Sequence, residues 1–203
     1  MTRNLTRLVP LVLFSLTLSI SGIAAATYDS VDELPEPDLV VLDRIRDALY
    51  TTCGDAPMGW YDLEQIECFL TGDGIAFAVF CKGTVPPNHM LLILLDVDGQ
   101  VGSVGRRGVT LERVVSAGYE YAIGIYHGQV AVFDVSLSFP TGYDSDLESW
   151  KDGHVAYFEV TWDQVGGRPE AVSVLAFAVD ENSGAADHAP NQGKATLEIP
   201  TLQ

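Results

Sequence analysis

Leu91-Leu92-Ile93-Leu94-Leu95, closed by Asp96-Val97-Asp98-Gly99, is the stretch on which the reading of this chain turns. A short apolar run ending in an acidic, turn-forming tip lacks the 3.6-residue spacing of an amphipathic helix. It predicts a central strand covered on both faces. Working outward, Gly118 opens a segment rich in tyrosine and β-branched residues, Tyr119-Glu120-Tyr121-Ala122-Ile123-Gly124-Ile125. His127-Gly128 then joins residues 119–126 to 129–135 as a two-residue hairpin loop, with glycine where a positive φ is required.

Further strands are predicted over 65–70 and 75–81, either side of Gly72-Asp73-Gly74, and over 155–161, 171–179 and 195–199. Eight or so strands separated by turn signals indicate an all-β fold, a jelly-roll-type antiparallel sandwich. No helical run is long enough for the crossover that a parallel sheet needs. Two stretches read as long loops. Residues 99–108 carry glycine at every third position with Arg106-Arg107, and 140–153 are acidic and aromatic. Residues 39–50 fit a short helix with Asp38 as its cap, although Leu39-Val40-Val41-Leu42 could equally open a strand.

The start of the chain reads as an export signal. Arg3 and Arg7 precede an apolar stretch over 8–23, and Ala24-Ala25-Ala26 offers a cleavage site before Thr27. The rival, an uncleaved anchor, would be near the lower length limit and interrupted by Pro10. Residues 27–53 then form an acidic lead-in with the short helix, and 54–203 the binding domain of a secreted, cell-surface or periplasmic protein. Net charge is −17 over 203 residues, and loss of Arg3 and Arg7 makes it −19. Such a field repels nucleic acid and anionic lipid and attracts cations. The expected partner is therefore carbohydrate or another extracellular ligand, with no membrane contact once the signal is removed.

Cys53, Cys68 and Cys81 are an odd number for an oxidising compartment. A hairpin about Gly72-Asp73-Gly74 sets Cys68 opposite Phe77 and leaves Cys81 out of bridging reach. Either Cys53 pairs with one of the two, or all three are unpaired core thiols.

Several short motifs, in order, resemble domains similar to family 9 carbohydrate-binding modules and the related DOMON superfamily. Gly54-Asp55 with Trp60 and Asp62 is similar to the opening motif, and residues 91–100 to the apolar strand ending in Asp-x-Asp. Residues 118–125 resemble the "G-A-D-Y-x-I-x-(I/V)" strand, with Tyr119-Glu120-Tyr121 in place of Ala-Asp-Tyr. Glu159 and Gly166 match the acid and glycine of the "E-x-x-(I/W)-x-x-L-G" segment, and residues 187–193 the terminal "D-x-A-P-D-x-G". The resemblance covers about residues 54–199. It implies a β-sandwich used outside the cytoplasm to bind sugars, haem or other small ligands.

Sugar binding needs aromatic faces with polar groups beside them. Trp150 and Tyr143, in the acidic loop, and Trp162, directly after a strand, are the ligand-binding candidates; Trp60 reads as core. Calcium needs several converging oxygens. Asp96, Asp98 and Asp187 would supply them if their strand ends adjoin, and Asp144, Asp146 and Glu148 form a second set. For both sets the plain alternative is acids solvating a turn. Haem would need axial ligands such as His89, Met90 or His154, whose spacing is not diagnostic, so haem is not expected. G-x-S-x-G, H-E-x-x-H and P-loop patterns are missing. Glu120 and Glu159 as a carboxylate pair are weighed against ordinary strand acids, and the chain is expected not to be an enzyme. The reading is an exported, non-catalytic carbohydrate-binding module. Its alternatives are a cell-envelope structural or interaction module and a haem-carrying electron-transfer domain.

Overall fold

The computed structural model describes residues 28–42, 62–85, 90–100, 118–135, 141–144 (backbone only), 147–180, 185–190 and 194–201. Twelve strands occur among them: β1 (Leu39–Leu42), β2 (Leu63–Leu70), β3 (Gly74–Cys81), β4 (Met90–Asp96), β5 (Tyr121–Tyr126) and β6 (Gln129–Asp134). The remainder are β7 (Thr141–Asp144), β8 (Glu148–Asp152), β9 (Val155–Thr161), β10 (Ala171–Asp180), β11 (Ala185–Ala189) and β12 (Ala195–Glu198). They build a five-stranded sheet, β1-β2-β3-β9-β8, and a seven-stranded sheet, β11-β10-β4-β5-β6-β7, with β12 also paired to β10. Every pairing is antiparallel. The chain lays down β1–β3 in the first sheet, crosses for β4–β7, returns for β8–β9 and ends in the second sheet.

Side chains alternate across each strand, so one set from each sheet meets in the middle. Leu91, Ile93 and Leu95 of β4 and Val174 of β10 share that central cluster with Phe77, Val79 and Phe158 of the other sheet. The alternate residues Met90, Leu92 and Leu94 join Phe133, Leu175 and Phe177 in a second buried cluster on the far face of the seven-stranded sheet. All seven positions of β4 are therefore buried, as its unbroken apolar run predicts. Full burial of each such aliphatic side chain stabilises by roughly 1.5–3 kcal/mol.

The far face of the five-stranded sheet is covered differently. Phe69, Ala76, Ala78, Val155 and Tyr157 form a small cluster there, and Tyr28, Val31 and Leu34 of the lead-in pack against it. The small Ala76 and Ala78 leave room for that segment. Its only regular turn among the described residues is a 3-10 turn at Val31–Glu33.

Two expectations are corrected, and one strand is new. Residues 39–42 form β1 rather than the start of a helix: Val41 turns inward while Val40 and Leu42 face out, and the strand pairs from Leu39↔Cys68 to Leu42↔Gln65. The rest of that expected helix, 43–50, lies outside the described residues. The stretch 140–153 is no loop, since β7 and β8 occupy most of it, in different sheets. The strand β11 was not anticipated at all. The hairpin expectations stand. His127 and Gly128 both have positive φ (48° and 79°) between Tyr126 and its partner Gln129, the backbone of a type I′ turn.

Cys68 does face Phe77, and Cys81 faces Leu63 further along the ladder. Both are buried free thiols, whereas Cys53 lies outside the described residues. So does the signal segment, 1–26. No helix among the described residues is long and apolar enough to cross a membrane.

Candidate functional site at the β4–β5 tip

β4 and β5 are neighbours in register from Leu91↔Ile125 to Leu95↔Tyr121. Asp96 ends β4 one residue past that last pair, and Glu120 stands one residue before β5, so the ladder delivers the two carboxylates to the same place. The turn after β4 brings Asp98 back to them. Asp96, Asp98 and Glu120 each offer a carboxylate oxygen, and these oxygens lie within 4.8 Å of one another.

The local backbone fixes the cluster. Asp96 Oδ1 accepts the Gly99 N–H at 2.8 Å, and Asp98 Oδ1 accepts the Gln100 N–H at 2.9 Å. Glu120 Oε2 accepts the Val97 N–H at 2.9 Å, tying the end of β5 to the turn after β4. One oxygen of each carboxylate is thus held by an amide. Gly99 takes a φ of 75°, which lets the turn close tightly.

Burial grades across the site. Asp96 is 1% exposed, Glu120 is half-buried and Asp98 is exposed. Asp96 Oδ2 is buried without a hydrogen-bond partner, and so is the Tyr119 hydroxyl. Burial pushes the Glu120 carboxyl above the usual range; the Val97 N–H opposes the shift, and the charges of Asp98 and Asp96 add to it. Burial, with the nearby Asp96 charge, also raises Tyr119. A buried carboxylate oxygen with no partner and two further acids beside it is a costly arrangement unless a cation compensates it.

The donor set fits one. All the donors are hard oxygens, which suit calcium, magnesium or manganese rather than softer metals. Calcium–oxygen distances are 2.3–2.6 Å, so oxygens on opposite sides of one ion lie about 4.6–5.2 Å apart. Oxygens within 4.8 Å of one another are close enough to share one ion, calcium or the smaller magnesium.

The sequence expectation placed Asp187 in this group, but Glu120 stands there instead. Asp187 pairs with Ala178, which pairs in turn with Leu91 at the other end of β4. Five residues along the strand and two strands across separate the two positions, about 19 Å. There Asp187 is fully buried, its Oδ2 accepting the Leu63 N–H and its Oδ1 the His188 N–H, each at 2.8 Å. It joins the two sheets. Of the second acidic set, Glu148 lies on β8, while Asp146 and the side chain of Asp144 fall outside the described residues.

The aromatic candidates do not share a surface. Trp150 lies on β8, stacked on Tyr157 at 5.0 Å and 4°, and its indole N–H donates to the Tyr28 carbonyl at 2.6 Å. Trp162 is 6% exposed within the central core, with the Arg168 guanidinium 5.5 Å from its ring centroid. Trp162 is thus buried, and Trp150 is half-buried with one face on Tyr157. Tyr143 stands opposite Phe133 on β7, in the other sheet from Trp150; its side chain and all of Trp60 lie outside the described residues. Among the haem-ligand candidates, His154 packs against Phe80 and Met90 is buried, while His89 lies outside the described residues. Glu159 accepts the Tyr157 hydroxyl at 2.9 Å in the five-stranded sheet, whereas Glu120 belongs to the seven-stranded one.

Glu120 was legible in one respect. It immediately precedes its strand as Asp96 ends the preceding one, so antiparallel pairing of these two segments implies their meeting. Compared with known proteins, the chain matches no family model, no curated protein and no solved structure.

Proposed function

We propose that this chain is an exported, non-catalytic binding module on a jelly-roll-like sandwich, and that its working end is the β4–β5 tip loaded with calcium. The observation that carries the reading is Asp96: a carboxylate with 1% exposure and an unpartnered oxygen, beside two more carboxylates. The acidity of the whole chain, −17, favours cation capture at such a point. Carbohydrate, the ligand class implied by the resemblance to family 9 binding modules, suits a rigid sandwich with a loop-borne site. The working surface moves from the tryptophans to the acidic tip, because Trp150 and Trp162 are engaged within the fold.

Calorimetric titration of the mature protein with calcium chloride tests this. One site is expected, together with a rise in thermal stability. At a hundredfold excess over the dissociation constant, that rise corresponds to about 2.7 kcal/mol. Asp96→Asn and Glu120→Gln should each weaken calcium binding at least tenfold. Absence of both heat and thermal shift at millimolar calcium refutes the reading.

A further inference from the structure

We propose that the open edge of β1 is a docking site for an extended, basic segment of another protein, which adds to the five-stranded sheet as a further strand. This edge is independent of the cation site, because β1 and the β4–β5 tip belong to different sheets.

An edge strand presents backbone N–H and C=O groups with which a second chain can pair, and proteins ordinarily guard such rows with charge. The five-stranded sheet ends in β8 on one side and β1 on the other. The two ends differ. On β8, Ser149, Lys151 and Asp152 are exposed. Lys151 stands opposite Ala156 of the central cluster, so its charge lies on the inward side of that edge. A strand added there would have to bury it, at a cost. β1 reads Leu39-Val40-Val41-Leu42, with no charged residue in its length. It pairs with β2 on one side, and no described strand lies on the other.

The outward side chains of β1 are apolar too. Val40 and Leu42 are 44% and 65% exposed, and among the described residues they are the large hydrophobic side chains that stand exposed. Two positions apart on one strand, they share a face. Val41 between them is buried in the central cluster, opposite Ile66. This layout suits strand addition, in which backbone pairing supplies affinity and alternate side chains supply selectivity.

Charge then selects the partner. Glu36 and Asp38, both exposed, stand just before β1, and the lead-in over 28–38 carries five acids and no lysine or arginine. Glu67 of β2 lies directly opposite Val40. A second copy of this chain, at −17, would set acids against acids along a shared β1 edge. A segment with apolar residues at alternate positions and lysine or arginine beside them meets both features. Its apolar side chains cover Val40 and Leu42, and its cations reach the acids around them.

The test titrates the full mature chain, isotopically labelled for amide NMR, with a synthetic peptide of alternating valine and threonine that carries lysines at both ends. Shifts centred on β1 and the adjoining length of β2 are expected. Leu42→Lys and Val40→Lys, both at surface positions, should each weaken binding at least tenfold while leaving the melting temperature and the calorimetric response to calcium as they were. Of two peptides N-methylated at the valines or at the threonines, one should lose binding at least tenfold, since only one set of amides faces β1. If both bind like the parent, strand addition is refuted. Equal binding of a peptide with glutamates in place of the lysines refutes the choice of a basic partner. Dimerisation in sedimentation that Leu42→Lys abolishes would assign the edge to a second copy and overturn the proposal. Absence of shifts at β1 with millimolar peptide overturns it outright, whatever the calcium titration shows.

Discussion

Replacing Asp187 by alanine should unfold this protein far more readily while leaving the β4–β5 tip untouched. The side chain is fully buried, and its two oxygens accept the amide hydrogens of Leu63, in the opposite sheet, and of His188. Alanine removes both acceptors in a space that admits little water. Each orphaned buried N–H costs about 1–3 kcal/mol. Relief of the carboxylate's own desolvation, next to other acids, offsets part of this, leaving a net loss of about 2–4 kcal/mol. At this chain length each kcal/mol moves the midpoint by about 2–4 °C, so a fall of roughly 5–15 °C is expected. Asp187→Asn keeps one acceptor but turns an NH₂ towards the other amide, and should cost about half as much. Urea unfolding, with the slope checked for constancy, measures both. A loss under about 0.5 kcal/mol for alanine would refute the reasoning. The same experiment separates two placements of this residue. With Asp187 about 19 Å from Asp96, calcium binding by the alanine variant is unchanged, whereas membership of the cation site would abolish it.

Three further outcomes follow from local geometry. Gly124 has a φ of 135°, and a Cβ there would lie 2.3 Å from the Leu91 carbonyl oxygen; Gly124→Ala should therefore cost about 3–5 kcal/mol in chemical denaturation. Burial, aided by the charges of Asp187, Glu64 and Asp62, pushes the Cys81 thiol up to about 12. Neither it nor the buried Cys68 should react with iodoacetamide at pH 8.5 until urea is added, as mass spectrometry of the alkylated peptides would show. Burial raises the Glu67 carboxyl above its ordinary 4.5, against the pull of the Gln65 amide that donates to it. A raised folded-state value means that its favourable contribution is complete below about pH 4.5 and is lost as pH climbs through the folded value. Glu67→Gln should accordingly raise the melting temperature at pH 7 and change it little at pH 4; equal shifts at both would contradict this.

What the sequence disclosed depended on how many faces of a strand are apolar. β4 was readable because Leu91, Ile93 and Leu95 enter one cluster and Leu92 and Leu94 another, so no polar residue interrupts the run. β8 was not. It is an edge strand, Glu148-Ser149-Trp150-Lys151-Asp152, with a single large apolar residue, and so it carries the composition of a loop. β11 was hidden for a different reason. Its central residues, Asp187 and His188, are polar yet buried, and the hydrogen bond from outside β11 that helps to satisfy Asp187 comes from Leu63, 124 positions away. The cation site was half legible. Asp96 and Asp98 announce themselves by adjacency in the chain, but the third acid depends on which strand lies beside β4. Both β5 and β10 do, and β11 joins only the half of β10 remote from Asp96.

The position of β4 between β5 and β10 also has a consequence for synthesis. Its second neighbour, β10, begins about eighty residues later in the chain. At roughly 5–20 residues per second, the ribosome delivers that neighbour about 4–16 s after β4 itself. Through that interval one edge of the most hydrophobic strand offers unsatisfied amides and carbonyls to any nascent chain nearby. Rapid overproduction should thus yield aggregates seeded by residues 90–96, and slow synthesis or a holding chaperone should rescue the yield without altering the finished molecule.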